Sequence, residues 1–426
     1  MLKIKTEKIH DTAVTVPGSK SYTHRIFIAA ALSNGPCCIE NWLDSDDTNY
    51  TLSALNQFGA SIEKNPAGDK KPEGVILTGR NGDMDSNEKP IFLGNSGTSM
   101  RLLTAYAAIG NGRYILTGSD RMHERPIHYL LDGLNQLDVQ AVSLNNNGCP
   151  PVEVIGTKVA GGTVNLNCSI SSQFLSGLLL IAPYTRNGME IHVTHGPVSK
   201  PYIDMTLDIM SQFGVDVFRN GYDYFKIPGG LTYQCGRYVV EPDCSQASYF
   251  WAAAAITGHA IKVNGISKQS SQGDVRFVDV LSAMGCRVIH ESDGITVSGG
   301  KLSGIEVDMA DMPDMVPTLA VIAAFAKGIM VIKNVSHLKV KESDRLNAVI
   351  NELTKMGISA KSESDNLIIT GGKPHGAVIE TYDDHRIAMC FSVAGLRVPG
   401  IEIKNEHCVE KSFPTYWKVF DGLYER

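Results

Sequence analysis

The sequence predicts an α/β protein of two domains, each built from three βαβαββ-type repeats. Three observations carry this. Helix-stop signals recur every 71 to 79 residues, at Gly59, Asp138, Gly214, Gly285 and Gly357. A turn cluster follows each stop, and each period offers a polar helix start that leads into an apolar body. Length agrees, because 426 residues exceed one ordinary core and about 150 residues per domain makes two or three domains.

Along the chain, Leu2, Ile4 and Thr6 alternate with lysines, which is strand-like and lacks the apolar core of a signal peptide. Pro17-Gly18-Ser19-Lys20-Ser21 then reads as a turn into a helix, with Ser19 or Ser21 as N-cap and an Ala-rich body from Ile26 to Leu32. Equivalent starts follow at Asn95-Ser96-Gly97-Thr98, Ser171-Ser172-Gln173, Ser245-Gln246, Asp314 and Asp384-His385-Arg386. Glycine suits the stops because it accepts the left-handed conformation just past a helix end. Asp138 is the one non-glycine instance. The turn clusters Asn65-Pro66-Ala67-Gly68, Asn145 to Gly148, Asn220-Gly221, Ser292-Asp293-Gly294 and Ser364-Asp365-Asn366 each predict a hairpin. Six starts imply six units, the last truncated by the C-terminus. A unit of about 75 residues is longer than a solenoid repeat, so the units pack as compact bundles.

Composition narrows the function. With 43% hydrophobic and 20% charged residues and a formal net charge of -6, the chain has no basic excess of the kind that marks a nucleic-acid-binding domain. No stretch reaches the ~18 apolar residues of a membrane span. The nine cysteines are scattered without a Cys-x-x-Cys pair, which argues against a zinc site or a disulfide framework and fits a reducing cytoplasm. His192 and His195 share a strand-like run and lack the glutamate of a zinc-protease helix, so no metal and no cofactor is expected.

Local charge is more informative than the total. Lys20, Arg25, Arg101, Arg125, Lys200, Lys341, Arg345, Arg386 and Lys411 all sit in or beside the repeat landmarks. A cation in the first turn opposes the positive end of the helix dipole, yet the same backbone amides favour a bound anion. Guanidinium forks grip carboxylate or phosphate at two points, whereas an ammonium acts as a point charge. The Gly-rich stretch Leu93 to Arg101 can lay N–H groups against a phosphate, although it lacks the ending of a P-loop. In Val340-Lys341-Glu342-Ser343-Asp344-Arg345, a helix would place Lys341 and Arg345 on one face and pair Glu342 with Arg345. Carboxylates among cations, Glu342 here and Asp314 at another helix start, are candidates to move protons beside an anionic substrate.

Taken together, Pro17-Gly18-Ser19-Lys20-Ser21 with Arg25, Leu93-Gly94-Asn95-Ser96-Gly97-Thr98 with Met100-Arg101, and Arg121-Met122 with Glu124-Arg125-Pro126 resemble the 5-enolpyruvylshikimate-3-phosphate synthase family. The resemblance continues through Ser171-Ser172-Gln173-Phe174-Leu175, Val198-Ser199-Lys200-Pro201-Tyr202, Lys341 to Arg345, and Asp384-His385-Arg386 with Lys411. It implies the enolpyruvyl transferase fold with buried parallel helices. The expected domains are 20–241 and 1–19 with 242–426, with the active site in the interdomain cleft and the cations' mutual repulsion favouring an open form until anions bind. It also implies a monomeric cytoplasmic enzyme of the shikimate pathway, the family that glyphosate targets. Its partners are the small molecules phosphoenolpyruvate and shikimate 3-phosphate, with no nucleic acid and no membrane.

By the same resemblance, shikimate 3-phosphate is held by Lys20, Ser21, Arg25, Ser171, Ser172, Ser199, Tyr202, Asp314, His337 and Lys341. Phosphoenolpyruvate is held by Lys20, Gly97, Arg125, Gln173, Arg345, Arg386 and Lys411. The implied catalytic set is Asp314 as base at the substrate hydroxyl, Glu342 and Lys20 at the methylene proton, and His385 in support. Some positions depart from the family. His337 stands where Asn is frequent, Tyr22-Thr23-His24 replaces a commoner Val/Ile-Ser-Asn run, Ser96 replaces Ala and Leu102 replaces a frequent Pro. Two other readings stand beside this one. A UDP-N-acetylglucosamine enolpyruvyl transferase commonly has a loop Cys and a Lys-Asn start where this chain has Lys20-Ser21. A non-catalytic phosphometabolite-binding protein would keep the cations without turnover.

Overall fold

The computed structural model describes residues 1–65, 74–86 and 89–425, so the hairpin turn read at Asn65 to Gly68 lies outside the described residues from Pro66 onward. The chain divides into two compact units, Gly18–Val240 and Met1–Pro17 with Glu241–Arg426. Within each unit the same supersecondary plan repeats three times.

In the unit Gly18–Val240, the second repeat shows the plan plainly. Strand Ile91–Phe92 leads to helix Gly97–Ala108, strand Asn111–Thr117, helix His128–Asn135 and the hairpin Gln140–Ser143 with Val152–Thr157. The first two strands pair parallel, and the hairpin closes the sheet antiparallel with its second strand inside. The third repeat copies that order in Gly162–Asn167, Met189–His195, Tyr224–Ile227 and Phe218–Asn220. A parallel pair needs a crossover, and the leading helix supplies it.

The first repeat departs from a simple tandem array. Its sheet of Pro36–Glu40, Gly74–Thr78 and Ser61–Asn65 takes its outer parallel strand from Arg237–Val239, at the far end of the unit. The other unit does the same, with Thr12–Val14 serving as the parallel partner of Ala260–Asn264. Its last sheet is that of the truncated sixth repeat, three-stranded and without a hairpin of its own among the described residues. Val378–Ile379 and Glu402–Ile403 are completed by Leu2–Lys3 from the N-terminus. An edge left open there would expose unpaired backbone groups, and the N-terminal strand covers it.

The leading helices are buried on all sides, as helices apolar all round must be. Every residue of Val316–Ala323 and His385–Gly395 is buried, and in Cys244–Thr257 only Thr257 is not. In the unit Gly18–Val240 the exceptions are confined to the first turn: Lys20 and Ser21, Thr98, and Gln173. Those helices therefore meet solvent only at the end whose amides lack partners within the helix.

The five stop signals share one hydrogen-bond pattern. Gly59, Asp138, Gly214, Gly285 and Gly357 all have positive φ, and Asp138 does so at 60°. The residue after each donates its N–H five residues back, Ala60 to Leu55, Val139 to Leu134, Val215 to Met210, Cys286 to Leu281 and Ile358 to Leu353. This is the Schellman closure of a helix, and it needs a left-handed residue. At Gly285 a Cβ would lie 2.6 Å from the Lys301 carbonyl oxygen as well as at φ +112°. Gly285→Ala should therefore cost roughly 1–3 kcal/mol of stability. Asp138→Gly should leave thermal unfolding unchanged or slightly raised, and melting curves of the two variants check both statements.

Candidate active site

In the unit Gly18–Val240 the helix starts are polar and tightly organised. Ser19 caps Lys20–Leu32 by accepting from the Tyr22 N–H, and Ser96 caps Gly97–Ala108 by accepting from the Ser99 N–H. Lys20 opens the first of these helices, and its ammonium pairs with the buried Asp47 carboxylate at 3.0 Å. Arg25, one turn on, is 1% exposed. It donates to Thr206 Oγ1 (2.7 Å), the Ser21 carbonyl (3.0 Å) and Ser176 Oγ (3.2 Å), and its guanidinium faces the Tyr202 ring at 5.9 Å. All of these partners are neutral. Burial accordingly pulls its pKa down to about 10.

Gly97 is the contact point of two further buried guanidiniums. A Cβ there would lie 2.3 Å from Arg125 Nη2 and 2.6 Å from Arg101 Nη1, so only glycine leaves both in place. Arg125 donates to the Asn95 carbonyl (2.9 Å) and side-chain oxygen (3.0 Å). Arg101 donates to Gln173 Oε1 (3.1 Å), and Gln173 in turn donates to Thr98 Oγ1 (2.9 Å). Ser171 accepts from the Gln173 N–H at 3.2 Å, and Ser172 is the buried N-cap of Gln173–Ile181. Ser199, at φ 57°, turns the chain into helix Pro201–Gln212 and accepts the Tyr202 N–H at 3.1 Å.

The other unit answers with an ion cluster of different character. Arg345, 1% exposed, meets Asp314 at 2.8 Å, Glu342 at 2.8 Å and Asp384 at 2.8 Å. Arg386 meets the second Asp314 oxygen at 2.7 Å and reaches the Tyr249 hydroxyl at 3.4 Å. Asp384 also caps His385–Gly395 through the Arg386 N–H (3.0 Å) and accepts from Ser343 Oγ (2.9 Å). Burial would raise the Asp314 carboxyl, but Arg386, Arg345 and Lys341 outweigh it and hold it well below the usual range. Arg345 is driven the other way, upward, because Asp384, Glu342 and Asp314 overcome its burial.

This arrangement corrects two expectations. Residues 341–344 are not helical: a 3-10 turn covers Ser336–Val340 and the α-helix begins at Arg345 with Asp344 as its N-cap. Lys341 and Arg345 therefore do not share a helix face, although the Glu342–Arg345 pair forms across the turn. Nor do the cations of this unit simply repel one another, since carboxylates neutralise Arg345 and Arg386. Asp384, Asp47 and Arg101 were missed as site residues. Arg101 had a signal as one of the cations at the repeat landmarks, and Asp384 as an acid at a helix start; Asp47 joins Lys20 across 27 residues, a pairing no spacing rule announces.

His385 is fully buried, its Nδ1 3.7 Å from Asp384. His337 carries a buried Nε2 without a hydrogen-bond partner among the described residues. Burial, and then the Lys341 charge, lower its pKa to about 4, so it is a neutral hydrogen-bonding ring at neutral pH. Lys411 ends the 3-10 segment Glu406–Lys411. The start at Ser245 carries no cation: Ser245 donates to the buried Asp274, whose carboxyl burial and Asp314 push up to about 7. Among the described residues no group of three or more His, Cys, Asp or Glu is placed to hold a metal, and no helix is long and apolar enough to cross a membrane.

Comparison with known proteins agrees over the whole length. The family model described as EPSP synthase (3-phosphoshikimate 1-carboxyvinyltransferase) matches residues 4–420. A 3-phosphoshikimate 1-carboxyvinyltransferase from Sulfurovum sp. is 43% identical over 99% of this chain and 99% of its own. The solved structure of an EPSP synthase from Acinetobacter baumannii superposes with a TM-score of 0.81 at 28% identity, covering 99% of this chain and 98% of the other. The enolpyruvyl transferase NikO from Streptomyces tendae shares the fold, with a TM-score of 0.78 at 20% identity over 99% and 96% of the two chains.

The depressed His337 pKa makes a stability prediction with a definite sign. Between its ordinary value of 6.5 and about 4, the unfolded chain binds a proton that the folded chain refuses. Its contribution is thus present above 6.5 and is lost as pH falls toward about 4. Denaturant titrations over this range should show a flatter acid limb for His337→Asn than for the parent chain.

Proposed function

The chain belongs to the EPSP synthase family, and from that premise we infer that it transfers the enolpyruvyl group of phosphoenolpyruvate to the 5-hydroxyl of shikimate 3-phosphate, releasing phosphate in the shikimate pathway. One observation carries the chemistry at the level of the site. Arg25 is a buried guanidinium whose partners are all neutral. A cation so placed costs several kcal/mol unless an anion meets it, and both substrates carry phosphate and carboxylate. Arg25, Lys20, Ser21, Ser171, Ser172, Ser199 and Tyr202 are proposed to hold shikimate 3-phosphate, with Asp314, His337 and Lys341 completing its contacts. Lys20, Gly97, Arg125, Gln173, Arg345, Arg386 and Lys411 are proposed to hold phosphoenolpyruvate.

In the proposed reaction Asp314 takes the proton of the 5-hydroxyl as its oxygen attacks C2 of phosphoenolpyruvate. Glu342 and Lys20 manage the proton that reaches C3, with His385 as a supporting group. The resulting tetrahedral intermediate, whose C3 is now a methyl, expels phosphate as that methyl gives up a proton, which restores the double bond of the enolpyruvyl ether. Asp314 bound by two guanidiniums is a weak base. Phosphoenolpyruvate offers those guanidiniums its own anionic oxygens, and Asp314 released from them regains basicity. The ion cluster thereby couples the arrival of the anion to the strength of the base. The Lys20–Asp47 pair delivers its ammonium by the same exchange of partners.

Phosphate release with phosphoenolpyruvate and shikimate 3-phosphate tests the function, and turnover with UDP-N-acetylglucosamine instead would overturn it. Asp314→Ala should lower kcat by about 10²- to 10⁴-fold, the range for loss of a general base, and undiminished turnover would remove Asp314 from the chemistry. Gly97→Ala should raise the phosphoenolpyruvate KM while folding normally, because the new methyl displaces the ends of flexible arginines rather than backbone.

A further inference from the structure

Beneath the starts of the helices at Lys20, Asp46 and Gly97 runs a continuous buried chain of polar side chains. His24 Nδ1 lies 2.8 Å from Thr51 Oγ1, Thr51 Oγ1 lies 2.8 Å from Ser99 Oγ, and Ser99 Oγ lies 2.6 Å from Ser96 Oγ. Every member is 0 or 1% exposed. Ser99 Oγ also donates to the backbone carbonyl of Asp47 at 3.2 Å, the residue whose carboxylate holds Lys20 at 3.0 Å. Ser96 is the N-cap that orders the first amides of the Gly97 helix. One hydroxyl, Ser99, therefore touches the cap of one helix, the first turn of a second and, through Thr51, the helix that carries Lys20.

One assignment of the hydrogens along this chain is self-consistent. If the single Ser99 proton goes to the Asp47 carbonyl, Thr51 and Ser96 must each donate to Ser99. Thr51 then has no proton for His24, so His24 donates from Nδ1, which sets its tautomer. Each hydroxyl is oriented by the next, and the interaction strengthens along a buried chain.

We propose that the His24–Thr51–Ser99–Ser96 chain is a positioning element that sets the amide end of the Gly97 helix, and that it tunes affinity for phosphoenolpyruvate without touching it. The proposal rests on the assignment of Gly97 to that substrate. It gives a role to His24 and Ser96, two of the positions that depart from the family. Their roles are linked through Thr51 and Ser99, so replacing either disturbs the other's partner.

Steady-state kinetics on the full chain test it. Thr51→Val, close in shape but without the hydroxyl, and Ser96→Ala should each raise the phosphoenolpyruvate KM about fivefold, the effect of one lost hydrogen bond. The kcat and the shikimate 3-phosphate KM should stay within about twofold, and the double variant should be no worse than either single one because the two act through one chain. Thr51→Ser should restore the parent KM. An unchanged phosphoenolpyruvate KM in Thr51→Val overturns the proposal. So does a loss of folding, or a fall in kcat with both KM values raised, either of which assigns the chain to stability alone. A parent enzyme that turns over neither substrate removes the functional premise instead, an outcome visible in the same assay before any variant is measured.

Discussion

The buried Arg345 guanidinium is the constraint on which its unit's chemistry depends. A charge taken out of water costs several kcal/mol, repaid only with good geometry and satisfied donors. Arg345 meets that condition through Asp314, Glu342 and Asp384, which come from three separate segments. Removing any one would leave a buried charge short of a partner, so the short turn at Pro313–Met315, the irregular stretch 341–344 and the start of the His385 helix are tied to one another. The same carboxylates that stabilise the arginines also occupy them. An anion reaching these arginines would have to compete with an internal ligand, exchanging one set of charge-assisted bonds for another rather than entering a bare cationic site.

The unit Gly18–Val240 solves the problem differently. Arg25 is buried among hydroxyls, a carbonyl and an aromatic ring, with its pKa pulled down by burial. Hydroxyls satisfy its donors but do not cancel its charge. A guanidinium in that state favours an anion from outside, which the Arg345 cluster does only by exchange. The contrast follows from the partners: Thr206, Ser176 and the Ser21 carbonyl for Arg25, against the carboxylates of Asp314, Glu342 and the helix cap Asp384 for Arg345.

The repeat architecture explains why polar and charged side chains gather at helix starts. In the unit Gly18–Val240 the leading helices, buried along their length, expose little but the first turn, and that turn holds amides with no partner inside the helix. Sheets of one strand order flank them. The borrowed strands Arg237–Val239, Thr12–Val14 and Leu2–Lys3 close edges that a linear array would leave open.

The sequence by itself determined the repeat, the helix starts and the stops, because these rest on local rules. A left-handed residue is needed where a helix closes on itself, even at Asp138, and a polar cap is needed where amides lack partners. It also determined which residue types gather at those starts, since Lys20, Arg25, Gly97, Arg125, Arg345 and Arg386 lie within a few positions of their landmarks or beside them in motifs. Only the tertiary structure decided which charges meet. The Lys20–Asp47 and Asp314–Arg345–Asp384 contacts join residues 27 to 39 positions apart, and the hydroxyl chain from His24 to Ser96 crosses three helices. Pairings at such separation depend on how helices pack, and packing is set by the whole core rather than by any local spacing. The same reason accounts for the break at 341–344, where a helical reading of the charges gave way to the geometry that burying Arg345 requires.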